Sequence, residues 1–366
     1  MRITDNLIKD IANAPEWFFE AINVEPTECE IDNPKGNLSY SKWDCDSESK
    51  NLLIFIHGTG AHKKWWYPIA PHFTENTNVI AVDLPGMGDS GFRDKYSIKD
   101  FGQCIISIIE KEKSAKLIDN VFIVGHSLGG QVAAYVASEK KELVSSLIMI
   151  DTFIRPPDWD PSQHEGGPLR MIKYYPDKAT ILKRFRLLPE QECLNDWFVR
   201  YIAEHSVRKT DEGWRWKFDD SMFNSLERLF GYQFSFGCPA LFIHGANSLL
   251  MLGNILGNIK NMYSDIMEFE EIPGAAHHVP LDKPLEIIDI IRNKIGFKNL
   301  LISDDLSMKS LKGNIKENTI KTFNSGCNIV LHCNANFKEM EIIGKNSPLI
   351  NKFIIKKTSQ FYKILS

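Results

Sequence analysis

The chain has 366 residues, of which 43% are hydrophobic and 25% charged, and its formal net charge is −4. This is ordinary globular usage for one large domain or two smaller ones, and it excludes a disordered, collagen-like or low-complexity chain. The near balance of charge indicates neither a nucleic-acid nor a membrane-surface partner, and apolar runs such as 52–56 are too short to span a bilayer.

The N-terminal residues and the cysteines both indicate the same cellular compartment. Charged residues inside the first ten positions argue against a cleaved signal peptide. The seven cysteines are odd in number and include no CxxC pair, so they indicate reduced thiols rather than disulfides or a zinc site. We therefore expect a cytoplasmic protein.

Strands and helices alternate along most of the chain. Short apolar, β-branched runs predict strands at 28–31, 38–43, 52–56, 79–82, 121–124, 146–150, 240–243 and 266–271, with helices at 98–113, 131–140 and 285–295 among them. Continuous apolar runs are typical of strands covered on both faces. The alternation therefore predicts an α/β domain with a mainly parallel sheet and helices on both faces.

Two segments depart from this alternation. Residues 152–237 show no clear buried strand and hold four of the eight tryptophans, so they predict a mostly helical insertion. This insertion is either a second small core or a lid that shapes an apolar pocket, and both can hold at once. Residues 300–366 carry ten lysines and five acidic residues, a net charge of +5 that looks foreign to what precedes it.

The strongest motif is Gly125-His126-Ser127-Leu128-Gly129-Gly130, which follows the strand at 121–124 and opens a helix. This strand–turn–helix context is that of a nucleophile elbow, a turn so tight that the serine takes a strained backbone conformation. The helix N-terminus then directs its free N–H groups at a developing oxyanion. Ser127 is therefore the candidate nucleophile.

Two further motifs supply the remaining groups that a serine nucleophile needs. In His57-Gly58-Thr59-Gly60, which follows the strand at 52–56, the N–H of Thr59 pairs with that of Leu128 as a candidate oxyanion hole. We expect His57 itself to stabilise the turn.

The segment at 273–284 follows the last strand of the core, and it supplies His277, preferred over His278, as the general base.

With these motifs in view, residues 15–298 resemble the α/β-hydrolases, of the esterase type that bears a lid. The matching segments are HGTGAHKKWW (57–66), AVDLPGMGDSG (81–91), GHSLGG (125–130) and PGAAHHVPLDKP (273–284), in the family's order and spacing. The resemblance implies that Ser127 is the nucleophile and His277 the base. It implies a structural role for the loop that holds Asp83 and Asp89.

The third member of the triad departs from the commonest family pattern. That pattern places an aspartate where this chain has Ser248, in His244-Gly245-Ala246-Asn247-Ser248. Some α/β-hydrolases carry the acid at the end of the preceding strand, which here is Asp151, 24 residues after Ser127. Asp151 is therefore the predicted acid, with a helix-capping role as the alternative, and Asp265 is a poor third choice because it precedes its strand.

The aromatic residues of the lid favour a substrate with an apolar acyl or alcohol portion. Trp65 and Trp66, just past the oxyanion loop, either wall this pocket or pack a helix, and packing is the preferred interpretation.

The C-terminal residues resemble a second family. SDDLSM (303–308) and GCNIVLHCN (326–334) are similar to the β-N-acetylhexosaminidases of glycoside hydrolase family 3, in which Asp304 would be the nucleophile. The matched piece is only about 65 residues, whereas a (β/α)₈ barrel needs roughly 200 or more. We therefore expect a truncated, non-functional remnant, either a strand–helix–strand–helix appendage or a partly loose segment.

The sequence as a whole predicts a core formed by 1–151 and 238–299, a lid at 152–237 and a tail at 300–366. Its predicted function is hydrolysis of a small carboxylic ester through an acyl-enzyme, with no metal or organic cofactor and no nucleic-acid partner. The same triad serves thioesterases, amidases, lactonases, C–C bond hydrolases and acyltransferases. A non-catalytic binding protein of the same fold and a glycosidase in the tail are the remaining alternatives.

Overall fold

The fold is described from a computed structural model, which covers residues 11–45, 49–155, 172–229, 231–294, 302–308, 311, 313–324, 327 and 329–350. The chain divides into two compact units, residues 1–284 and 285–366, and each is described by itself.

The first unit alternates strands and helices. Its strands are β1 (Thr27–Ile31), β2 (Leu38–Trp43), β3 (Asn51–Ile56), β4 (Asn78–Val82), β5 (Tyr96–Ser97), β6 (Asn120–His126), β7 (Ser146–Ile150), β8 (Val207–Thr210), β9 (Gly213–Trp216), β10 (Leu226–Glu227), β11 (Ala240–Gly245) and β12 (Glu268–Ile272). Its helices are α1 (Glu16–Ile22), α2 (Ile98–Ala115), α3 (Leu128–Glu139), α4 (Lys178–Leu182), α5 (Asp196–His205), α6 (Met222–Ser225), α7 (Ile255–Tyr263) and α8 (Val279–Asp282). Short 3₁₀ turns lie at Lys63–Trp65, Ala70–Phe73 and Leu249–Met251.

Eight of these strands form one sheet in the order β1-β2-β4-β3-β6-β7-β11-β12. The pairs β1–β2 and β2–β4 are antiparallel, and every later pair is parallel. All eight predicted strands lie in this sheet, and the fold class predicted from the sequence is confirmed. The inner strands of the sheet are buried because helices cover them, which is why β4 and β7 are apolar after their first residue, whereas the edge strand β12 is exposed or half-buried except at its last residue.

The helices beside the sheet begin and pack as their sequences dictate. The side chain of Ser97 caps α2 by accepting a hydrogen bond from the N–H of Asp100 at 3.0 Å. An apolar stripe of α2 then packs into the core and against α3. The predicted helix at 131–140 begins three residues earlier, at Leu128, so the nucleophile turn leads directly into it.

In its described residues, 152–155, 172–229 and 231–237, the insertion is not helical throughout. Besides α4, α5 and α6 it contains a hairpin, β8–β9, in which Val207 faces Trp216. The two strands are short and half-exposed, so they lack the apolar run by which the sheet strands are recognised. The turn residues Asp211-Glu212-Gly213 are the feature of the sequence that could have predicted the hairpin. A small core of its own, with Ile181, Leu182, Ala203 and Val207, lies in this insertion.

The second unit begins at Leu285, the second residue of α9 (Pro284–Lys294). It then contains β13 (Ile302–Asp305), α10 (Ile315–Asn324), β14 (Ile329–Leu331) and α11 (Phe337–Asn346). Its two strands pair in parallel, and after α9 its elements run strand, helix, strand, helix. Across the part of the chain that the structure covers, no helix combines the length and the apolar character that crossing a membrane requires.

Candidate active site

Ser127 stands in a sharp turn between β6 and α3. Its φ of 53° and ψ of −116° are outside the regions that side chains ordinarily adopt, as the motif predicted. The turn closes so tightly that a Cβ atom on Gly125 would lie 2.2 Å from the carbonyl oxygen of Gly129. Only glycine fits there. The Ser127 hydroxyl makes no hydrogen bond to a described residue, so its oxygen is free to approach a substrate.

The candidate oxyanion donors stand on either side of this serine. A Cβ atom on Gly58 would lie 3.2 Å from the Cβ of Ser127, so the loop after β3 passes directly beside the nucleophile. Among the described residues, neither the N–H of Thr59 nor that of Leu128 finds a hydrogen-bond partner. Leu128 is the first residue of α3, and a helix leaves such N–H groups unpaired at its positive end.

His277 and Asp151 form a buried hydrogen-bonded pair. The Nδ1–H of His277 donates to Oδ1 of Asp151 at 2.8 Å, and their side chains are 3% and 0% exposed. A proton on Nδ1 leaves the lone pair on Nε2, which is the nitrogen that accepts a proton from a nucleophile. The pair therefore has the arrangement of a general base and its orienting carboxylate.

Adjacent strand ends bring this pair to Ser127. Asp151 directly follows β7, which lies beside β6 in the sheet, and the N–H of Ser127 donates to the carbonyl of Ile150 at 2.9 Å. On the other side, the Nε2 of His126 donates to the carbonyl of His277 at 3.0 Å. The residues flanking both candidates are thus tied together, and the structure places Ser127, His277 and Asp151 at one edge of the sheet.

Ser248 is the site residue whose role the sequence did not reveal. It occupies the position at which the commonest family pattern has the acid, and its hydroxyl donates to Oδ1 of Asp151 at 2.6 Å. The N–H of Gly245 donates to the other oxygen, Oδ2, at 3.0 Å. Asp151, whose φ is 44°, therefore accepts three hydrogen bonds, one from the loop after β11, one from the last residue of β11 and one from His277. The signal available in the sequence was the serine at the position of the usual aspartate, because it meant that a carboxylate from elsewhere had to meet this loop.

Three other histidines surround the pair. Burial lowers the pKa of His57 to about 4, and its Nδ1–H donates to the carbonyl of Gly58 while Nε2 accepts from the N–H of Leu84. Burial and the neighbouring His277 lower the pKa of His126 to about 3. Burial also holds the pKa of His278 well below its ordinary value. Both ring nitrogens of His57 are thus hydrogen-bonded to backbone groups, and the residue stabilises its turn as predicted.

The aspartates of the loop at 83–91 hold the fold together. Asp83 is fully buried and accepts hydrogen bonds from the N–H groups of Lys63, at 2.6 Å, and Asp89, at 2.9 Å. Its burial raises its pKa to about 6, although the ammonium of Lys63 lies 3.5 Å away and opposes the rise. Asp89 pairs with Lys217 at 2.7 Å. Asp265 is exposed and precedes β12, outside the group around His277.

The two tryptophans after the oxyanion loop both pack. Trp66 is buried and stacks on Phe55 with ring centroids 4.7 Å apart. Trp65 lies against two histidines, with centroid distances of 5.3 Å to His278 and 6.3 Å to His126. Trp65 therefore packs against the two histidines that neighbour His277.

A polar latch joins the insertion to the loop that carries His277. The side-chain amide of Gln191 donates to Asp282 at 2.9 Å and accepts from the N–H of His278, also at 2.9 Å. Asn195 donates to the carbonyl of Leu281 at 2.7 Å. Asp282 in turn accepts from the N–H of Ala276, at 2.8 Å. The three bonds of Gln191 and Asn195 fix the position of the insertion next to the candidate base, and the bond from Ala276 lies within the loop itself.

Two cavities lead from this latch. One of about 290 Å³ reaches His277 and is lined by Pro189, Glu190, Gln191, Glu192, Asn247, Leu249, Gly274, Ala276, His277 and Asp282. Another of about 1230 Å³ shares Glu190, Gln191 and Glu192 with the first and is otherwise lined by Leu182, Lys183, Phe185, Arg186, Leu187, Cys193, Leu194 and Val199. The leucines at 188, 194 and 249 are exposed around them. The cavity that reaches His277 therefore has a mostly polar lining, and the apolar side chains belong mainly to the larger cavity beside it.

Asp304 lies in the second unit, where it is exposed. The loop contacts there are made by its neighbour Asp305, which accepts hydrogen bonds from Ser307 and from the N–H of Cys333. The resemblance of this segment to glycosidases stays a prediction.

The fold and this site together define a class. The family model described as the alpha/beta hydrolase fold matches residues 51–284, and the chain belongs to that family of enzymes. Similar proteins include an sn-1-specific diacylglycerol lipase of Mus musculus, 22% identical over 69% of this chain and 83% of the lipase. A putative esterase/lipase of Haemophilus influenzae is 24% identical over 66% of this chain and 82% of its own length. Among solved structures, the thioesterase domain from the curacin biosynthetic pathway superposes with a TM-score of 0.58 at 20% identity, covering 73% of this chain and 99% of that domain.

Proposed function

We propose that the chain is a serine hydrolase that cleaves a carboxylic ester, with Ser127 as nucleophile, His277 as base and Asp151 as acid. The observation that carries this proposal is the buried 2.8 Å hydrogen bond between His277 and Asp151, formed beside a serine held in a strained turn. A less strained residue would serve any purely structural purpose better than a strained serine whose hydroxyl bonds to no described residue. The strain and the nearby oriented imidazole therefore support a nucleophile.

The reaction has two halves. In the first, Nε2 of His277 takes the proton of the Ser127 hydroxyl as the oxygen attacks the ester carbonyl. The tetrahedral intermediate collapses, the C–O bond to the alcohol breaks, and the imidazolium returns its proton to the leaving alcohol. In the second, His277 takes a proton from water as the water attacks the acyl carbonyl. The C–O bond to Ser127 then breaks, the imidazolium returns its proton to the Ser127 oxygen, and the acid is released. Asp151 holds the ring in the required tautomer and stabilises its cation in both halves.

The oxyanion of each tetrahedral intermediate is the charge that the site must stabilise. The N–H groups of Thr59 and Leu128 are the proposed donors, since both are unpaired among the described residues and flank Ser127. Loss of one such donor typically costs about 10² to 10³ in kcat.

An ester with an apolar portion fits the larger cavity, which shares Glu190, Gln191 and Glu192 with the cavity at His277. The larger cavity is walled by apolar side chains such as Phe185, Leu187 and Val199. The names of the mouse and Haemophilus relatives, a diacylglycerol lipase and an esterase/lipase, support an ester as the bond that is cleaved. In this proposal the insertion at 152–237 acts as the lid of a core formed by 1–151 and 238–299, and residues 300–366 take no part in catalysis.

A fluorophosphonate probe tests the nucleophile directly. We expect stoichiometric labelling of the full chain, mapped by peptide mass to Ser127, and no labelling of Ser127→Ala. The matched control is Ser90→Ala, which removes another buried hydroxyl, one that accepts from the N–H of Ser39 at 2.8 Å. Labelling of Ser90→Ala at the wild-type rate, with none in Ser127→Ala, supports the assignment. A folded wild-type protein that stays unlabelled refutes it.

A substrate series tests the bond and the pocket. We expect p-nitrophenyl esters to be hydrolysed with a kcat/KM that rises from acetate to longer acyl chains, and the matching anilides to be cleaved far more slowly. Acyl-thioester hydrolysis measured in parallel separates an esterase from a thioesterase. Asp304→Asn serves as the control for the tail and keeps the wild-type rate. If chain length has no effect on kcat/KM, the apolar-pocket argument is wrong.

A further inference from the structure

We propose that His126, His277 and His278 form a binding site for a transition-metal ion such as Zn²⁺, and that its occupation inhibits the enzyme. The binding step depends only on the three rings. The inhibition rests on the function proposed above, because it requires His277 to be the base.

The geometry of the cluster is close to what a metal needs. All three rings are buried, and one nitrogen from each lies within 4.8 Å of the others. The ring centroids are separated by 4.8 Å, 5.5 Å and 4.7 Å. Tetrahedral zinc with nitrogen ligands brings those nitrogens to about 3.4 Å from one another, so an inward shift of about an ångström completes the site.

His278 supplies the independent sign of a missing ligand. Its side chain is 5% exposed, and neither ring nitrogen meets hydrogen-bond geometry, although the backbone of Leu188 lies near the ring. A buried imidazole without a partner is unfavourable, and such groups in native proteins call for an ion or an ordered water. The proposed function gives His278 no task, so metal binding accounts for a feature that catalysis does not.

Asp151 completes the arrangement from outside. Histidine ligands of metals commonly donate their other N–H to a carboxylate, which fixes the tautomer and increases the basicity of the ring. The 2.8 Å bond from Nδ1 of His277 to Asp151 has that form, and it leaves Nε2 for the metal. The cavity of about 290 Å³ that reaches His277 supplies an entry path.

Inhibition follows from the lone pair that the metal would occupy. Catalysis needs Nε2 of His277 to accept the proton of Ser127, and a metal bound at that nitrogen removes the acceptor. Imidazole ligands favour Zn²⁺, Cu²⁺ and Ni²⁺, whereas Mg²⁺ and Ca²⁺ prefer oxygen. The proposal therefore separates the two groups of ions.

The binding test uses the full chain and isothermal titration with ZnCl₂, with MgCl₂ as the negative control. We expect one Zn²⁺ site that is weakened about tenfold or more in His278→Gln, since even outer-shell changes cost 10- to 100-fold in metal affinity. The matched control is His332→Gln, which removes a histidine of the second unit that is hydrogen-bonded to Glu339 at 2.7 Å. Wild-type Zn²⁺ affinity in His278→Gln, or no Zn²⁺ binding by the wild type, overturns the site.

Two further readouts separate the site from the enzyme activity. Trp65 lies 5.3 Å from the ring of His278, so Cu²⁺ should quench part of the tryptophan fluorescence in the wild type and less in His278→Gln. Ester hydrolysis, each variant compared with its own metal-free rate, should fall with Zn²⁺ and recover with a chelator. Binding that leaves an active enzyme uninhibited overturns the inhibition. Binding and quenching by a protein without any hydrolase activity support the site and refute the proposed function.

Discussion

Substitution of Ser248 by alanine separates the acid from the loop that positions it. The Ser248 hydroxyl donates to a fully buried carboxylate at 2.6 Å, and a hydrogen bond to a charged group contributes about 1.5–3 kcal/mol. Each 1.36 kcal/mol lost at the transition state costs a factor of ten. We therefore expect the kcat/KM of Ser248→Ala for a p-nitrophenyl ester to fall roughly 10- to 100-fold, with most of the loss in kcat because substrate contacts stay in place.

The comparison set distinguishes positioning from general damage. Ser248 also accepts from the N–H of Leu250 at 3.2 Å, so Ser248→Ala lowers the free energy of unfolding as well. Ser90→Ala lowers it through the loss of bonds remote from His277 and should leave kcat unchanged. Ser248→Thr keeps the hydroxyl and should recover most of the rate. If Ser248→Ala and Ser90→Ala lose stability equally and neither loses kcat, Asp151 does not depend on Ser248 and the reasoning is refuted.

Three further changes test other parts of the same account. Relative to Asp151→Asn, the double variant Asp151→Asn/Ser248→Asp should regain about tenfold or more in kcat/KM, because residue 248 already reaches the oxygen that binds His277; no gain means that this position cannot hold the acid. In Gly125→Ala the new Cβ would meet the carbonyl of Gly129 at 2.2 Å, so chemical denaturation should show a loss of about 1–3 kcal/mol or more together with lost probe labelling, and a stable, labelled variant contradicts the packing argument. The pKa of His57 falls from 6.5 to about 4 on folding, so between pH 6.5 and pH 4 only the unfolded state binds the proton and the free energy of unfolding falls as the pH is lowered. In His57→Gln this fall should be smaller by about 1.4 kcal/mol per pH unit. An unchanged dependence on pH would show that the buried ring is not the cause.

The sheet could be predicted because its strands satisfy a strong physical requirement. A strand covered on both faces must be apolar at nearly every position, and runs such as 52–56 have no other simple explanation. The hairpin β8–β9 was not predicted because it is half-exposed and its four-residue strands mix charged and aromatic side chains. Sequence pattern therefore located what is deeply buried and missed what is stabilised by a local turn and a few ring contacts.

The candidate site divides along a similar line. Ser127 and His277 follow strand ends and lie in short motifs whose residues are constrained by sterics, so the sequence alone is enough to propose them as candidates. The hydroxyl of Ser248 and the amide of Gln191 act through contacts with residues 97 and 91 positions away in the chain, and no local pattern records such contacts. The unpartnered ring of His278 is likewise visible only once burial is known.

The proposed position of the acid at Asp151 changes what the loop after β11 is free to do. In the proposed triad the carboxylate directly follows β7, and it accepts hydrogen bonds from the hydroxyl of Ser248 in that loop and from the N–H of the last residue of β11. Asn247 and Leu249 flank Ser248 and line the cavity that reaches His277, and Leu252, further along, is exposed. In the proposed enzyme these positions can therefore differ in size and polarity as long as Ser248 is kept, so that substrate preference can change on this loop while Asp151, on another loop, still orients His277.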